Sequence, residues 1–311
     1  MNSKGTIGFK RKVGRLKKTY LNDMSALEAA EAFKETDIAI LPMGTTHTHD
    51  HIPMGVDTYA GEWFGRRLAE RTNTICLPTL PYAWMPHYMD IPGAINVREE
   101  PTRQIIYDVC ESVHRWGINK IVVSQGHSGP ARYVCETVSS QLREKYNMLM
   151  VITEWYALRG MLGIDSDSSE VRMAGDVRDA ETCVAIHVLG EGSLYKKTVK
   201  VPLEECRAMS PRPNLFGSDT KIKQARFTGM ILGNVRAAVP LMFSEAHVPL
   251  MPAKSGPGSC RATPERGAEM CNRILDWQVE FVEELKKVRI PKRGAYNFIE
   301  EYRKSVGHPT R

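Results

Sequence analysis

The sequence predicts an α/β fold with a mainly parallel sheet covered on both faces, and three observations carry that prediction. Short apolar segments alternate with segments of helical apolar spacing along most of the chain. Several of the short segments, such as DIAILPMG (37–44) and NKIVVSQG (119–126), are continuously apolar at their centres, as strands buried on both faces are. Those runs end in glycine-containing turns, and in parallel sheets ligands gather at the carboxyl ends of strands.

Taken in order, SALEAAEAFKET (25–36) is a helix with Ser25 placed to cap it, and 37–44 follows as a buried strand. DTYAGEWFGRRLAERT (57–72) is again helical, and TICLPTLPY (74–82) is a strand running into a proline-rich loop. EEPTRQIIYDVCESVHRWG (99–117) spaces Ile105, Val109, Val113 and Trp116 at helical intervals and stops at Gly117. Residues 119–130 form a strand and a Gly-rich turn, 131–146 the helix after it, and MLMVITEWY (148–156) the next strand. DAETCVAIHVLG (179–190) reads as a helix, whereas 197–260, rich in Pro and Gly, is the least predictable section. TPERGAEMCNRILDWQVEFVEELKKV (263–288) is a long amphipathic helix, with a capping box at Thr263 only loosely met.

Composition narrows the function classes. At 311 residues with 42% hydrophobic and 25% charged residues, the chain can bury a sizeable core. No apolar run approaches the roughly 20 residues that span a bilayer, and the amino end lacks the apolar centre of a secretory signal. Seven cysteines without CxxC pairs fit reduced thiols, so a cytoplasmic location is expected. Lys4, Lys10, Arg11, Lys12, Arg15, Lys17 and Lys18 fall within the first 20 residues with no acid among them, so of a net charge of +6 the remainder carries −1. This basic arm, 1–24, reads as a solvated terminus before a domain over 25–290 and a tail over 291–311. It offers no aromatic platform or groove-reading motif, so neither nucleic acid nor membrane is expected as a partner.

Chemistry concentrates in GTTHTHDHIPMGVD (44–57). His47, His49 and His51 alternate, so on an extended segment they face one side together, and Asp57 opens the next helix. Imidazoles with a carboxylate are ligands for divalent transition metals, although HxHxH alone also suits a polar loop. His127, in the QGHSGP turn after another strand, is flanked by glycines that let the backbone present its ring closely. His114 is read as solvated, His187 as a core or interface residue, His247 as able to enter a site though not counted among its ligands, and His308 as part of a mobile tail. Cys76, Cys110, Cys135 and Cys183 are read as small hydrophobes.

DIAILPMGTTHTHDHIPMGVDT resembles the opening motif of the creatininase family, P-x-G-S-x-E-x-H-G-x-H-L-P-x-x-x-D. LPTLPYAWMPHYMDIPGAINV resembles that family's loop of Tyr, His and PGT, and INKIVVSQGHSGP its NGHGGN strand and turn. DAETC resembles its ETS helix start and ATPERGAEMCNRIL its closing ASAEKG helix, in the same order over residues 25–288. The resemblance implies a three-layer α/β/α hydrolase with two divalent metals, zinc or manganese with iron also admissible, in a ring-shaped, hexamer-like homo-oligomer acting on a small molecule. Carried over by position, His49 binds one metal, Asp57 bridges both, His127 binds the other, and Glu181 completes the site. His47 stands where the family has a Glu, and one residue is missing between His49 and Asp57. His51 is expected to orient a ligand from behind. Gln125 and Pro130 replace two family asparagines. Met173 stands where the family's proton-transferring His belongs, which leaves Asp176 and His87 as the catalytic candidates. Ser128, Glu154 and Trp155 are expected to line the substrate pocket, with packing an equal reading for Trp155. The implied reaction is attack of a metal-activated water on a carbonyl of a cyclic substrate, cleaving an amide C–N bond. Ring-opening C–C hydrolysis of a cyclic diketone from inositol breakdown, as a 3-dehydro-scyllo-inosose hydrolase performs, and a non-catalytic metal-binding relative are the alternatives.

Overall fold

The computed structural model describes residues 14–47, 49, 52–89, 91–127, 129–164, 175–190, 221, 223–224, 229–232, 235–238, 262–291 and 305–306. Helix α1 (Ala26–Glu35) starts at Ser25, whose hydroxyl accepts from the Glu28 N–H while Glu28 reaches back, a complete capping box. It leads into strand β1 (Ile38–Met43), then α2 (Val56–Thr72), β2 (Ile75–Cys76), α3 (Glu99–His114), β3 (Lys120–Gln125), α4 (Pro130–Tyr146) and β4 (Leu149–Glu154). The four strands form one parallel sheet in the order β2-β1-β3-β4. β1 and β3 are buried at every position, which is why their sequences show no polar alternation.

Side chains of alternate strand residues feed two cores. Ile38, Ile40 and Val122 pack on one face with residues of α2, α6 (Gly175–Leu189) and α7 (Pro264–Lys287). Ala39, Leu41, Met43, Ile121 and Val123 pack on the other with residues of α1, α3 and α4. The expected three layers are therefore present. Cys76, Cys110, Cys135 and Cys183 are buried free thiols within them.

The structure departs from the sequence reading in several places. In α3 the buried stripe is Thr102, Ile106, Cys110 and Val113. Of the predicted face, Val113 is buried and Val109 packs partly on the core, whereas Ile105 is 47% and Trp116, past the helix end, 66% exposed. TICLPTLPY forms a regular strand only over Ile75 and Cys76, and beyond Pro78 it meets β1 again through an isolated bridge between Leu80 and Met43. The strand ending at Glu154 passes directly into α5 (Trp155–Met161), and α6 begins at Gly175 rather than 179. Within 197–260 an antiparallel three-stranded sheet is described, β5 (Lys223–Gln224), β6 (Gly229–Leu232) and β7 (Val235–Ala238), which the sequence did not suggest. His114 is not simply solvated: its Nδ1 lies 3.0 Å from the Ile118 carbonyl and its ring packs on Tyr146. His187 is half-buried and sets its ring edge-on to Trp63, in keeping with a packing role.

From Gly14 onward the basic arm lies against the domain. The Cys76 backbone N–H donates to the Thr19 carbonyl (2.7 Å), Tyr20 makes a parallel bridge with Cys76, and the Arg66 guanidinium sits 4.1 Å over the Tyr20 ring. This segment covers the β2 edge of the sheet. Residues 1–13 and most of the tail lie outside the described residues. No helix among the described residues is long and apolar enough to cross a membrane.

Three glycines press the amino end of α2 against the carboxyl ends of β1 and β3. A Cβ at Gly44 would stand 2.3 Å from Thr58 Cα, one at Gly61 2.4 Å from the Met43 carbonyl oxygen, and one at Gly126 1.8 Å from the Asp57 carbonyl oxygen. Backbone cannot yield as a side chain can, so Gly126→Ala is expected to cost at least the upper part of the range of about 1–3 kcal/mol for overpacking. Gly160→Ala, at an exposed position near the end of α5 with nothing within 4 Å of the new methyl, should be neutral or stabilising by up to about 1 kcal/mol. Urea unfolding of the two variants checks this, and equal midpoints would contradict it.

Candidate metal centre

The site sits where β1 and β3 end. After Gly44 the chain crosses the sheet's carboxyl edge and returns to α2 through a short loop. That loop is tied by His47 N–H to the Met54 carbonyl (3.2 Å) and Ile52 N–H to the His49 carbonyl (3.4 Å). Thr45, His47 and His49 are buried, as an alternating segment facing the protein requires. Asp57, in the first turn of α2 and 3% exposed, lies near the helix N-terminus, where a negative charge is favoured. His127 is carried by the turn after β3. The Gly126 N–H donates to the Met43 carbonyl (2.8 Å), and the indole N–H of Trp155 donates to the Gly126 carbonyl (2.7 Å). Gly129, at φ +129°, adopts a backbone angle that favours glycine and lets the chain enter α4.

These elements bring His47, His49, Asp57 and His127 together. Asp57 Oδ2 lies 2.9 Å from His47 Nε2 and 2.8 Å from His127 Nδ1, and it accepts from the Thr45 hydroxyl (2.9 Å). Its other oxygen, Oδ1, lies 3.1 Å from His49 Nε2. His47 Nε2 and His127 Nδ1 are themselves 3.1 Å apart. His49 Nδ1 faces the His47 carbonyl at 3.1 Å, which fixes the other nitrogen toward Asp57.

One buried carboxylate compensates for one imidazolium, and the two neighbouring rings behave accordingly. Burial disfavours charge on His49, but Asp57 and then Glu181 outweigh it and raise its pKa from 6.5 to about 9. His47 touches the same carboxylate at a shorter distance yet moves to about 4, because burial dominates and charge on His127 and His49 adds to it. Burial alone would raise Asp57, but the surrounding imidazoles hold it well below the usual carboxylate range.

The other predicted residues fall around this cluster. Glu181 is half-buried on α6, near enough for its charge to act on His49. His87 is half-buried in a 3-10 turn (Pro86–Tyr88), and Asp176 lies in the first turn of α6, its side chain outside the described residues. Glu154 is 6% exposed, its pKa raised by burial, with Oε1 4.0 Å from Arg132 Nε. Next to it on β3, the Gln125 amide is buried with no hydrogen-bond partner among the described residues. Trp155 is buried and supports the His127 turn through its N–H. His51, Ser128, His247 and His308 lie outside the described residues. Two contributors were missed. Thr45 continues the alternation of His47 and His49, a signal that was available. Tyr88 stacks on His47, centroids 4.1 Å apart, and its only sequence signal was its place beside His87.

The donor set fits a divalent cation. His47, Asp57 and His127 each offer one ligand atom within 4.8 Å of the others. A tetrahedral ion with bonds of about 2.1 Å holds its ligand atoms about 3.4 Å apart. Contacts of 2.8–3.1 Å therefore need only open by a few tenths of an ångström. Asp57 Oδ1 and His49, with Glu181 beyond, are the start of a second set of the same chemistry.

The profile of the creatininase family, described as creatinine amidohydrolase, matches residues 22–198, more than half of the chain. The 3-dehydro-scyllo-inosose hydrolase of Thermotoga maritima is 26% identical over 110 residues, 35% of each chain. The creatinine amidohydrolase of Pseudomonas putida is 24% identical over 113 residues, 34% of this chain and 44% of that one. The matched segments thus span less than half the length of either curated relative. A solved manganese form of creatininase superposes with a TM-score of 0.62 at 17% identity, covering 87% of this chain and 99% of that one, a likeness of fold.

The opposed imidazole shifts set a pH dependence for the chelator-treated protein. The folded pKa of His49 lies above the usual 6.5, so its stabilisation is complete below about pH 6.5 and is lost as pH rises through about 9. The folded pKa of His47 lies below it, so its penalty is full below about pH 4 and absent above about 6.5. Thermal midpoints should peak near pH 6.5. His49→Gln should flatten the alkaline limb and His47→Gln the acid limb, and a profile unchanged by either would refute the assignment.

Proposed function

The chain belongs to the creatininase family, and from that premise we propose that it is a metal-dependent hydrolase of small cyclic substrates. The observation that carries the reading is the division of Asp57: one oxygen faces His47 and His127, the other faces His49. That is the arrangement a carboxylate shared between two ions requires. His47, His127 and Asp57 would hold one ion, and His49, Asp57 and Glu181 the other. Manganese or zinc suits an imidazole–carboxylate set, with iron also admissible. Ions held there would supply Lewis acidity toward a carbonyl and a water whose pKa falls toward about 7.

The chain's own residues do the rest. Thr45 anchors Asp57 Oδ2, and the His47 carbonyl fixes the ring of His49. The three-glycine contact fixes where Asp57 stands relative to both strand ends. His87 and Asp176 are the candidates for protonating the leaving atom, His87 because its turn packs on the cluster through Tyr88. Gln125, Ser128 and Glu154 are proposed to meet the substrate's polar groups beside His127, with Trp155 behind them.

Two bond types fit this chemistry. Cleavage of a cyclic amide is the primary reading. Ring opening of a cyclic diketone by C–C hydrolysis is the second, favoured by the match to the Thermotoga maritima enzyme. Both begin with attack of water on a carbonyl and differ in whether nitrogen or carbon leaves with the proton.

Turnover of a panel of cyclic amides and cyclic diketones decides between them. Activity should vanish with chelator and return with manganese or zinc. No turnover of either class by the metal-loaded protein would leave the non-catalytic relative as the answer. Asp57→Asn should lower metal affinity by more than roughly 100-fold, beyond what losing an outer partner costs. Loss of the proton donor, tested by His87→Ala and Asp176→Ala, should lower kcat by roughly 10²–10⁴-fold with metal content unchanged. If neither variant lowers kcat, the donor lies elsewhere.

A further inference from the structure

His47 is held in a column of three rings. Its imidazole lies 4.1 Å from the Tyr88 ring at an interplanar angle of 27° and 4.2 Å from the His49 ring at 31°. Two near-parallel rings at those distances occupy opposite faces of the imidazole, so His47 is clamped from both sides. Tyr88 also sets its ring at 84° to His127, centroids 6.3 Å apart, and thus walls the cluster on that side.

The clamp is built by hydrogen bonds close to the histidine itself. The segment carrying Tyr88 is closed on itself by Val97 N–H to the Ala83 carbonyl (3.2 Å) and by Met85 N–H to Asn96 Oδ1 (2.6 Å). It is then pinned to the histidine segment by Ile95 N–H donating to the Thr46 carbonyl (2.9 Å), one residue from His47. Tyr88 and His47 are therefore fixed to one frame.

We infer that Tyr88 is a positioning residue that orients His47 for metal, a role that rests on the metal-site reading above. The chemical reason lies in the ligand type. An imidazole presents a single lone pair along one direction in its ring plane, whereas a carboxylate offers two oxygens and tolerates rotation. A site with His at position 47 consequently needs the ring plane fixed. His49 has its Nδ1 on a backbone carbonyl, and the stacked phenol of Tyr88 holds the plane of the His47 ring. The electron-rich face of the phenol also favours the positive character an imidazole gains on binding a cation.

The test uses the full chain and cobalt(II) as the probe, read by visible absorption titration with manganese and zinc competition. Tyr88→Phe keeps the stack and should bind within about 2-fold of the parent with the same absorption band. Tyr88→Leu and Tyr88→Met, the second filling similar volume without a ring, should bind about 10-fold more weakly with a shifted band, the size expected for losing an outer orienting group. Thermal melts of the chelator-treated variants identify any that fail to fold, and the remaining one carries the result. Parent-like affinity and an unshifted band in a folded, ringless variant overturn the role of Tyr88 alone. A parent that binds no cobalt overturns the metal-site reading, and this inference with it.

Discussion

The buried carboxylate of Asp57 is the constraint around which the rest is arranged. A charged group with 3% exposure is tolerable only if its surroundings compensate for lost water. Here the compensation comes from three imidazoles, a threonine hydroxyl and the amino end of α2. They come from three parts of the chain: residues 45–49 after β1, His127 in the turn after β3, and the first turn of α2. They converge only because β1 and β3 lie side by side and in register, Met43 against Gln125, so that both strand ends deliver their turns to one place. The parallel sheet is thus what turns residues 80 positions apart into neighbours.

The close approach of α2 explains why small residues punctuate the motif. Gly44, Gly61 and Gly126 stand wherever helix backbone meets strand-end backbone, and no side chain fits there. Their effect on the site is indirect but strict. Asp57 reaches both histidine-bearing segments only if its helix begins within van der Waals contact of the sheet. Stability and site geometry are coupled at these three positions.

Much of this was legible in the sequence because it is local. Continuous apolar runs gave β1 and β3, the Ser25 and Thr263 caps marked α1 and α7, and alternation put His47 and His49 on one side. What was not legible depends on contacts between distant segments. The buried face of α3 is chosen by what packs on it, and Thr102 in that stripe carries no apolar signal. Tyr88 reaches His47 from a segment pinned by residue 95 to residue 46, a contact that no spacing rule encodes. The division of Asp57 between two sets of imidazoles is likewise a fact of geometry. Spacing suggests ligands but not which oxygen serves which ring.

On the family resemblance His47 stands where a glutamate is usual, and under the proposed metal site that exchange would change more than one ligand atom. It removes one negative charge from a buried site, so that with cations bound the local field becomes more positive by one unit. Any water held there would be more acidic and any carbonyl more polarised. A nitrogen-richer set also shifts preference toward ions that favour imidazole, zinc among them, relative to manganese. The same substitution exchanges a ligand that tolerates rotation for one that does not, and so makes the ring column from Tyr88 to His49 part of the price of the change. A chain altered at residue 47 alone would carry the charge effect without the orientation. On the proposed role, the stacked tyrosine is what would supply that orientation, so the two residues act on the site together.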